Sequence, residues 1–453
     1  MTATLSHNPT LAGPAVPPGR PIPGQNPIPG QGPGTGRRAL SRFATHRGAV
    51  LGYFQLLAGS GGRLVLQVLY FFLLANTLSL ADMGVFATVS AAGVLIGCLA
   101  GFGFQSAVMR AAARRRSSLG GYLAAYYACS ALALPIMLAL AGLLYLVLFR
   151  EVIALPGYLA IIVVEIALWR EIELLVQVNS GLGRFGAAST LVSLPVGFRA
   201  AAAVAFWAMG GGDAERWSLY YLVGNLVAVV VLVMVFHPRV RMRLRPKLVR
   251  GKLRDGLYYT LSHFLFLSQG EIDKIIILSL AGERMAGIYA ITIRLIDLTA
   301  VPLRPMYMMY SRKLIQAGRV TKALLRESMR IEVVIAGIST GGLLALIALL
   351  SIWPNILGTN VSAAYGMLTV VLVVPAVRNL LEFHSELLFG FGNLGLRAAI
   401  TGTLVLIKAL SVAALITLFP APESWTLGLN AASALIYGLS FLAVYGLLTR
   451  NAA

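Results

Sequence analysis

Apolar stretches of membrane-crossing length recur along the chain from residue 52 onward, separated by short polar segments. A helix that crosses a bilayer needs about 20 predominantly apolar residues. Twelve stretches fit this length, at 52–77, 84–108, 120–149, 157–178, 185–208, 217–236, 257–281, 286–310, 329–352, 362–389, 395–419 and 425–448. The pattern predicts an all-α polytopic membrane protein of about twelve transmembrane helices. Composition sharpens this: 58% of residues are hydrophobic, 12% are charged and the mean hydropathy is +0.80. Soluble domains carry roughly 25% charged residues, so this chain has too little polar surface to cover itself in water.

The connecting segments alternate in charge. One set is basic: the segment before the first span, then 110–116, Arg184, 239–254, 312–330, Arg397 and Arg450. The other set, 78–83, 150–156, 209–216, 281–285, 352–361 and 419–424, is short and poor in Lys and Arg. Of the 37 basic residues, 26 fall on the first side, 3 on the second and 8 inside spans. The positive-inside rule then predicts cytoplasmic basic loops and two cytoplasmic termini. The net charge of +20 is mostly this orientation signal and suits anionic lipid headgroups, so the basic run 239–245 is not read as a nucleic-acid site. Residues 1–36, dominated by Pro and Gly, predict a disordered tail with no apolar signal-peptide core. Cys98 and Cys129 sit in apolar runs and read as small hydrophobes.

The two halves of the chain repeat each other. Met83-Gly84-Val85-Phe86-Ala87 matches Ala286-Gly287-Ile288-Tyr289-Ala290 at an offset of 203, which also places Arg110 on Lys313. Farther on the offset is 209, pairing Gly181-Leu182-Gly183 with Gly390-Phe391-Gly392, Glu173 with Glu382, and Arg199 with Lys408. Six spans plus six in the same orientation imply two pseudo-symmetric six-helix lobes around a central cavity, an arrangement that opens to either side by rocking. The expected divisions are a cytoplasmic tail at 1–50, a first lobe at 51–236, a basic cytoplasmic linker at 237–256 and a second lobe at 257–453.

Ionisable groups inside spans are costly unless paired or hydrated. Arg63, Arg199, Arg294, Arg378 and Lys408 read as cations facing a hydrated cavity, because they occur in both halves and no acid follows Arg63, Arg199 or Lys408 at helical-neighbour spacing. Such cations would bind an anion, with Arg suited to a phosphate fork. Arg170 with Glu173, and Glu271 with Lys274, are i,i+3 neighbours. Arg378, Glu382 and Glu386 share one helix face, as do Arg294, Asp297 and Arg304. Glu173, Asp273, Asp297, Glu382 and Glu386 are candidates for charge balance or ion coupling. His384 reads as a helix-packing residue. Pro195, Pro302, Pro305, Pro375, the segment 59–62 and Gly101-Phe102-Gly103 mark candidate kinks. The loops leave no room for a folded catalytic domain, and no Walker-type loop, metal constellation or cofactor motif occurs, so the expected protein is not an enzyme.

The segment Leu78-Ser79-Leu80-Ala81-Asp82-Met83-Gly84-Val85-Phe86-Ala87, followed by Gly101-Phe102-Gly103 and Arg110, resembles the start of the polysaccharide flippases of the multidrug/oligosaccharidyl-lipid/polysaccharide superfamily. Gln269-Gly270-Glu271-Ile272-Asp273-Lys274 with 286–290 resembles their span-seven-to-eight signature, and Gly183-Arg184-Phe185 their span-four-to-five loop. The resemblance covers about residues 50–448. It implies transport of an undecaprenyl-diphosphate-linked oligosaccharide from the cytoplasmic to the periplasmic leaflet of a bacterial inner membrane. Arg63, Arg199, Lys274, Arg294 and Lys408 would hold the pyrophosphate and glycan, and a polysaccharide polymerase and export machinery are candidate partners. The alternatives are a multidrug or small-molecule cation antiporter of the same superfamily, which needs acids where this chain has cations, and a glycan polymerase or ligase, which needs a large periplasmic loop.

Overall fold

A computed structural model of the chain describes residues 62–317, 320–390 and 394–450. The tail 1–50 and residues 59–61 lie outside the described residues. Among the described residues twelve helical passes follow one another. The first is α1, Gly62–Thr77. The second is α2 (Leu80–Gly97), carried on after a break by α3 (Phe104–Arg114). The third is α4, Leu119–Leu144, and the fourth is α5 (Leu155–Val163) running through a π turn into α6 (Trp169–Gly181). The fifth and sixth are α7, Phe185–Ala208, and α8, Ala214–Phe236.

The second half opens with α9 (Pro246–Ala281), then α10 (Glu283–Thr299) bent by 53° into α11 (Leu303–Ala317). The ninth pass is α12, Lys322–Ile352. The tenth joins α13 (Thr359–Ala363) and α14 (Tyr365–Val370) through a 78° bend to α15 (Val374–Gly390). The last two are α16, Leu394–Leu418, and α17, Pro422–Arg450.

Among the described residues, seven helices are long and apolar enough to cross a membrane, or nine when each bent pair is one span. The other three passes are α1, whose described part is short, α5–α6 with Glu165, Arg170, Glu171 and Glu173, and α9 with Glu271, Asp273 and Lys274. The ionisable groups that spoil their hydropathy are the ones that face inward, described below.

Local chemistry sets the boundaries. Ser79 caps α2, accepting from the Asp82 amide at 3.0 Å, and Asp82 in turn accepts from the Ala214 amide at 2.9 Å, tying the starts of α2 and α8. Asp213 and Thr321 cap α8 and α12 in the same way. Helix α9 begins eleven residues before the predicted span. Pro246 fits the first turn, where no amide partner is needed, and the Lys, Arg and Leu that follow are good helix formers. Much of the expected linker is thus helical. At Gly101-Phe102-Gly103 all three residues take positive φ (64°, 43° and 74°), which breaks the second pass. Pro302 lies at the α10–α11 bend and Pro375 in the first turn after the α14–α15 bend, whereas Pro195 sits inside an unbroken α7. A membrane-embedded helix tolerates such a proline when neighbours re-satisfy the freed carbonyl.

Helix α2 is the centre of the molecule: two-thirds of it is buried, against 22% of the window at 116–149. It crosses α10 at the repeated motif. A β-carbon on Gly84 would lie 2.6 Å from the Gly287 nitrogen, and one on Gly287 would lie 1.8 Å from the Leu80 carbonyl oxygen. Only glycine permits that approach, and small residues at a crossing are how membrane helices pack closely. The two glycines related by the 203-residue offset therefore meet each other, and the repeated motif packs against itself at this crossing. Near the same end, Asn76 donates to the Leu357 carbonyl (2.7 Å), and Asn360 donates to those of Ala75 (2.9 Å) and Leu78 (2.7 Å). These bonds bridge the halves at the end poor in basic loops. The apolar core runs across both halves, from Val89, Ile161 and Trp217 to Ile291, Leu295 and Trp425. Large apolar side chains point outward on α4 and α8, including Leu132, Leu143 and Met234, as a lipid-facing surface requires.

Candidate functional site

Two inward cavities, each of about 310 Å³, carry most of the charged residues singled out above. The first lies where the halves meet. Arg63 and Gln67 of α1, Ser90 of α2, Trp169 of α6, Arg199 of α7, Glu271 and Lys274 of α9, and Arg294 of α10 line it. Arg199 is built into its wall. Its guanidinium lies between the Trp169 ring (4.5 Å to the centroid) and the Tyr221 ring (5.1 Å), and Nε donates to Asn225 Oδ1 at 2.9 Å. Stacking of this kind holds a guanidinium without neutralising it. Nη2 is buried and has no hydrogen-bond partner among the described residues. Behind the rings, Glu165 accepts from Ser90 and Tyr221, each at 2.7 Å. Arg63, Arg199 and Arg294 have no carboxylate partner among the described residues. Lys274 does, with Glu271 Oε2 at 2.5 Å.

The second cavity lies within the C-terminal half, between α9, α10, α15, α16 and α17. Gln269, Asp273, Tyr289, Arg304, Arg378, Glu382 and Lys408 are among its walls. Here the expectation of unpaired cations fails. Lys408 Nζ donates to Asp273 Oδ2 (2.6 Å) and to the Gln269 carbonyl (2.7 Å). Asp273 also accepts from the Tyr289 hydroxyl at 2.5 Å. Arg378 pairs with Asp297 at 3.0 Å. These acids lie 135 and 81 residues away from their cations, so helical-neighbour spacing had no access to them. Glu382 borders the cavity with no bonded partner among the described residues.

The remaining candidates are scattered. Glu173 pairs with Arg170 at 2.9 Å and faces a separate recess beside Tyr259 and His263. Asp297 lines a small cleft with Arg63's neighbours Leu64 and Gln67, together with Arg294 and Arg304. The shared face expected for Arg294, Asp297 and Arg304 thus survives the bend after Thr299. Glu386 accepts from the Ser311 hydroxyl at 3.0 Å, away from both main cavities.

His384 is buried as a packing residue should be, but it is not alone: Nδ1 lies 2.7 Å from Ser440 Oγ and Nε2 3.0 Å from Glu332 Oε1. Glu332 also accepts from Tyr437 (2.7 Å) and Tyr445 (2.5 Å). This cluster locks α12, α15 and α17 together. Sequence reading gave Glu332 no role, although the one acid within the apolar stretch 329–352 is itself a signal of a buried partner. It also missed Trp169, Tyr221 and Asn225, whose contribution is to hold Arg199.

The fold is that of transporters of the MOP superfamily. A multidrug resistance MATE family transporter in its inward-facing conformation matches with a TM-score of 0.61 at 15% identity, over 87% of this chain and 100% of that one. An outward-facing conformation of a multidrug resistance MATE family transporter matches at 0.60 and 16%, over 88% and 96%. A MOP superfamily transporter from Pyrococcus furiosus Vc1, described as having a binding pocket of reverse polarity that suggests a different function, matches at 0.55 and 14%, over 88% and 95%. No curated protein matches the sequence. The family model described as "Polysaccharide biosynthesis protein" matches residues 51–308, more than half of the 453 residues, and the chain belongs to that family.

Proposed function

We propose that this protein moves an undecaprenyl-diphosphate-linked oligosaccharide from the cytoplasmic to the periplasmic leaflet of a bacterial plasma membrane. The basic loops and both termini face the cytoplasm. One observation carries the reading: Arg63, Arg199 and Arg294 line one cavity between the halves without carboxylate partners among the described residues, and a buried N–H of Arg199 finds no acceptor among them. A buried donor left unsatisfied costs free energy, and a phosphate oxygen would satisfy it through a charge-assisted bond. Membership of a polysaccharide biosynthesis family supplies the cargo class.

The lobes rock about the crossing of α2 and α10, so that the cavity faces one leaflet and then the other. The bonds of Asn76 and Asn360 hold the periplasmic side shut in the conformation described. Arg63, Arg199 and Arg294, with Lys274 beside them, receive the diphosphate. Arg378 and Lys408 shape the C-terminal cavity, where Asp273 and Asp297 balance their charge. Glu382, unpaired there, takes up the coupling proton or sodium ion.

A cation antiporter is the competing reading, and the acids of the C-terminal cavity favour it. Of the three acids that line it, Glu271, Asp273 and Glu382, two are already spent, however: Asp273 on Lys408 and Glu271 on Lys274. The deciding experiment is reconstitution of the purified protein with a fluorescent lipid-linked oligosaccharide and an assay of leaflet accessibility. Transport is expected in the wild type and lost in Arg199→Ala. An inactive wild type, or an Arg199→Ala variant as active as wild type, rejects the reading.

A further inference from the structure

A third recess adjoins the central cavity and has a different chemistry. It measures about 190 Å³ and is framed by Gln105 of α3, Trp169, Glu173 and Gln177 of α6, and Tyr259 and His263 of α9, with apolar side chains of α6 and α7 between them. Its wall is shared: Trp169 borders both this recess and the cavity where Arg199 lies against the indole.

Three features define what fits. First, the surface is aromatic. Trp169 is joined by the Tyr259 and His263 rings, stacked on each other at 5.9 Å and 15°. Second, its polar groups are unspent. The Gln105 and Gln177 amides and the His263 imidazole make no side-chain hydrogen bond among the described residues. Glu173 bonds Arg170 through Oε2, leaving Oε1 without a partner there. Third, it carries no net positive charge. Among the described residues no Lys or Arg lines it, and its one carboxylate is neutralised by Arg170. Flat apolar faces with planar amides and a carboxylate around them match a sugar ring, which offers C–H patches to aromatic rings and hydroxyls to amides. No Lys or Arg among the described residues lines the recess to clasp a phosphate, and the charge an organic cation would seek on Glu173 is shared with Arg170 through Oε2.

We propose that this recess is a sugar subsite, which holds the first ring of the glycan while its diphosphate lies on the far side of Trp169 against Arg199. The assignment rests on the flippase reading above. The recess takes Tyr259 and His263 from the second half of the chain and the rest from the first, so a rocking motion dismantles it and releases the sugar as the cavity reopens.

The test compares undecaprenyl diphosphate with the same lipid carrying one N-acetylhexosamine, binding to the full-length protein in nanodiscs by native mass spectrometry. The wild type should prefer the glycosylated lipid. Gln177→Ala and His263→Ala should each cut that preference about five- to tenfold, the scale of one or two lost hydrogen bonds, while binding of the bare lipid stays intact and reports a folded protein. A preference unchanged in both variants overturns the subsite and leaves the flippase reading standing. Equal loss of both lipids also overturns it, because the recess would then not read sugar. A wild type that binds neither lipid but captures tetraphenylphosphonium, lost in the variants, overturns both and makes the recess a cation site.

Discussion

Arg199 and Lys408 occupy matching positions in the two halves, 209 residues apart, and differ in almost everything around them. Arg199 lies against two aromatic rings and an amide, faces the shared cavity and makes no salt bridge among the described residues, the buried Glu165 behind the rings being bonded to Ser90 and Tyr221 instead. Lys408 is tied to Asp273, which is itself held by Tyr289. An internal repeat therefore conserves where a cation sits in the bilayer without conserving what the cation does. Aromatic surroundings orient a guanidinium and leave it available to a ligand. A carboxylate surround closes the charge on itself and converts it into a strut between α9 and α16.

The sharpest way to break this contrast is to remove one partner of the closed pair. Lys408→Ala leaves Asp273 charged and buried, and should destabilise the protein by about 3–5 kcal/mol. The readout is a lowered thermal midpoint and lost yield in detergent. If the lysine is a strut, the double variant Asp273→Asn with Lys408→Met should recover most of that loss, because the uncompensated charge is gone. Lack of recovery would mean that Lys408 serves a ligand.

Arg199→Ala should behave in the opposite way. No salt bridge is broken, and Glu165 keeps its bonds to Ser90 and Tyr221, so the thermal midpoint should fall less than in Lys408→Ala, while transport in proteoliposomes should fall at least about tenfold through loss of a charge-assisted bond. Arg199→Lys sharpens the point further. The compact ammonium keeps the charge but lacks the planar fork and the stacking, so transport should sit between wild type and alanine. The smallest expected effect is that of Asn225→Ala, which removes the single 2.9 Å bond orienting the guanidinium. It should weaken transport by about 1 kcal/mol in equivalent free energy, read as a several-fold rise in the lipid concentration needed for half-maximal rate.

Much of the scaffold is legible in the sequence. The hydropathy pattern located the passes, and the breakers at Gly101-Phe102-Gly103, Pro302 and Pro375 each coincide with or adjoin a real break. The repeat placed Gly84 opposite Gly287, and the two do touch. Helix start signals were read less well: α9 begins at Pro246 because helix formation does not stop where the apolar run does.

The site was legible in its cations and illegible in their partners. Spacing along a helix reveals only i,i+3 and i,i+4 neighbours, and the two pairs it suggested, Arg170 with Glu173 and Glu271 with Lys274, are formed. Lys408 with Asp273, Arg378 with Asp297 and His384 with Glu332 join residues 135, 81 and 52 positions apart, and Arg199 finds rings on two other helices. By itself, then, the sequence determined how many times the chain crosses, where it bends and which charges enter the bilayer, because those follow from the solvent preference of each segment and from local backbone sterics. Only the tertiary structure decided which of those charges cancel and which stay open to a ligand, because that depends on which helix faces lie against each other, and helix packing is set by shape across the whole bundle.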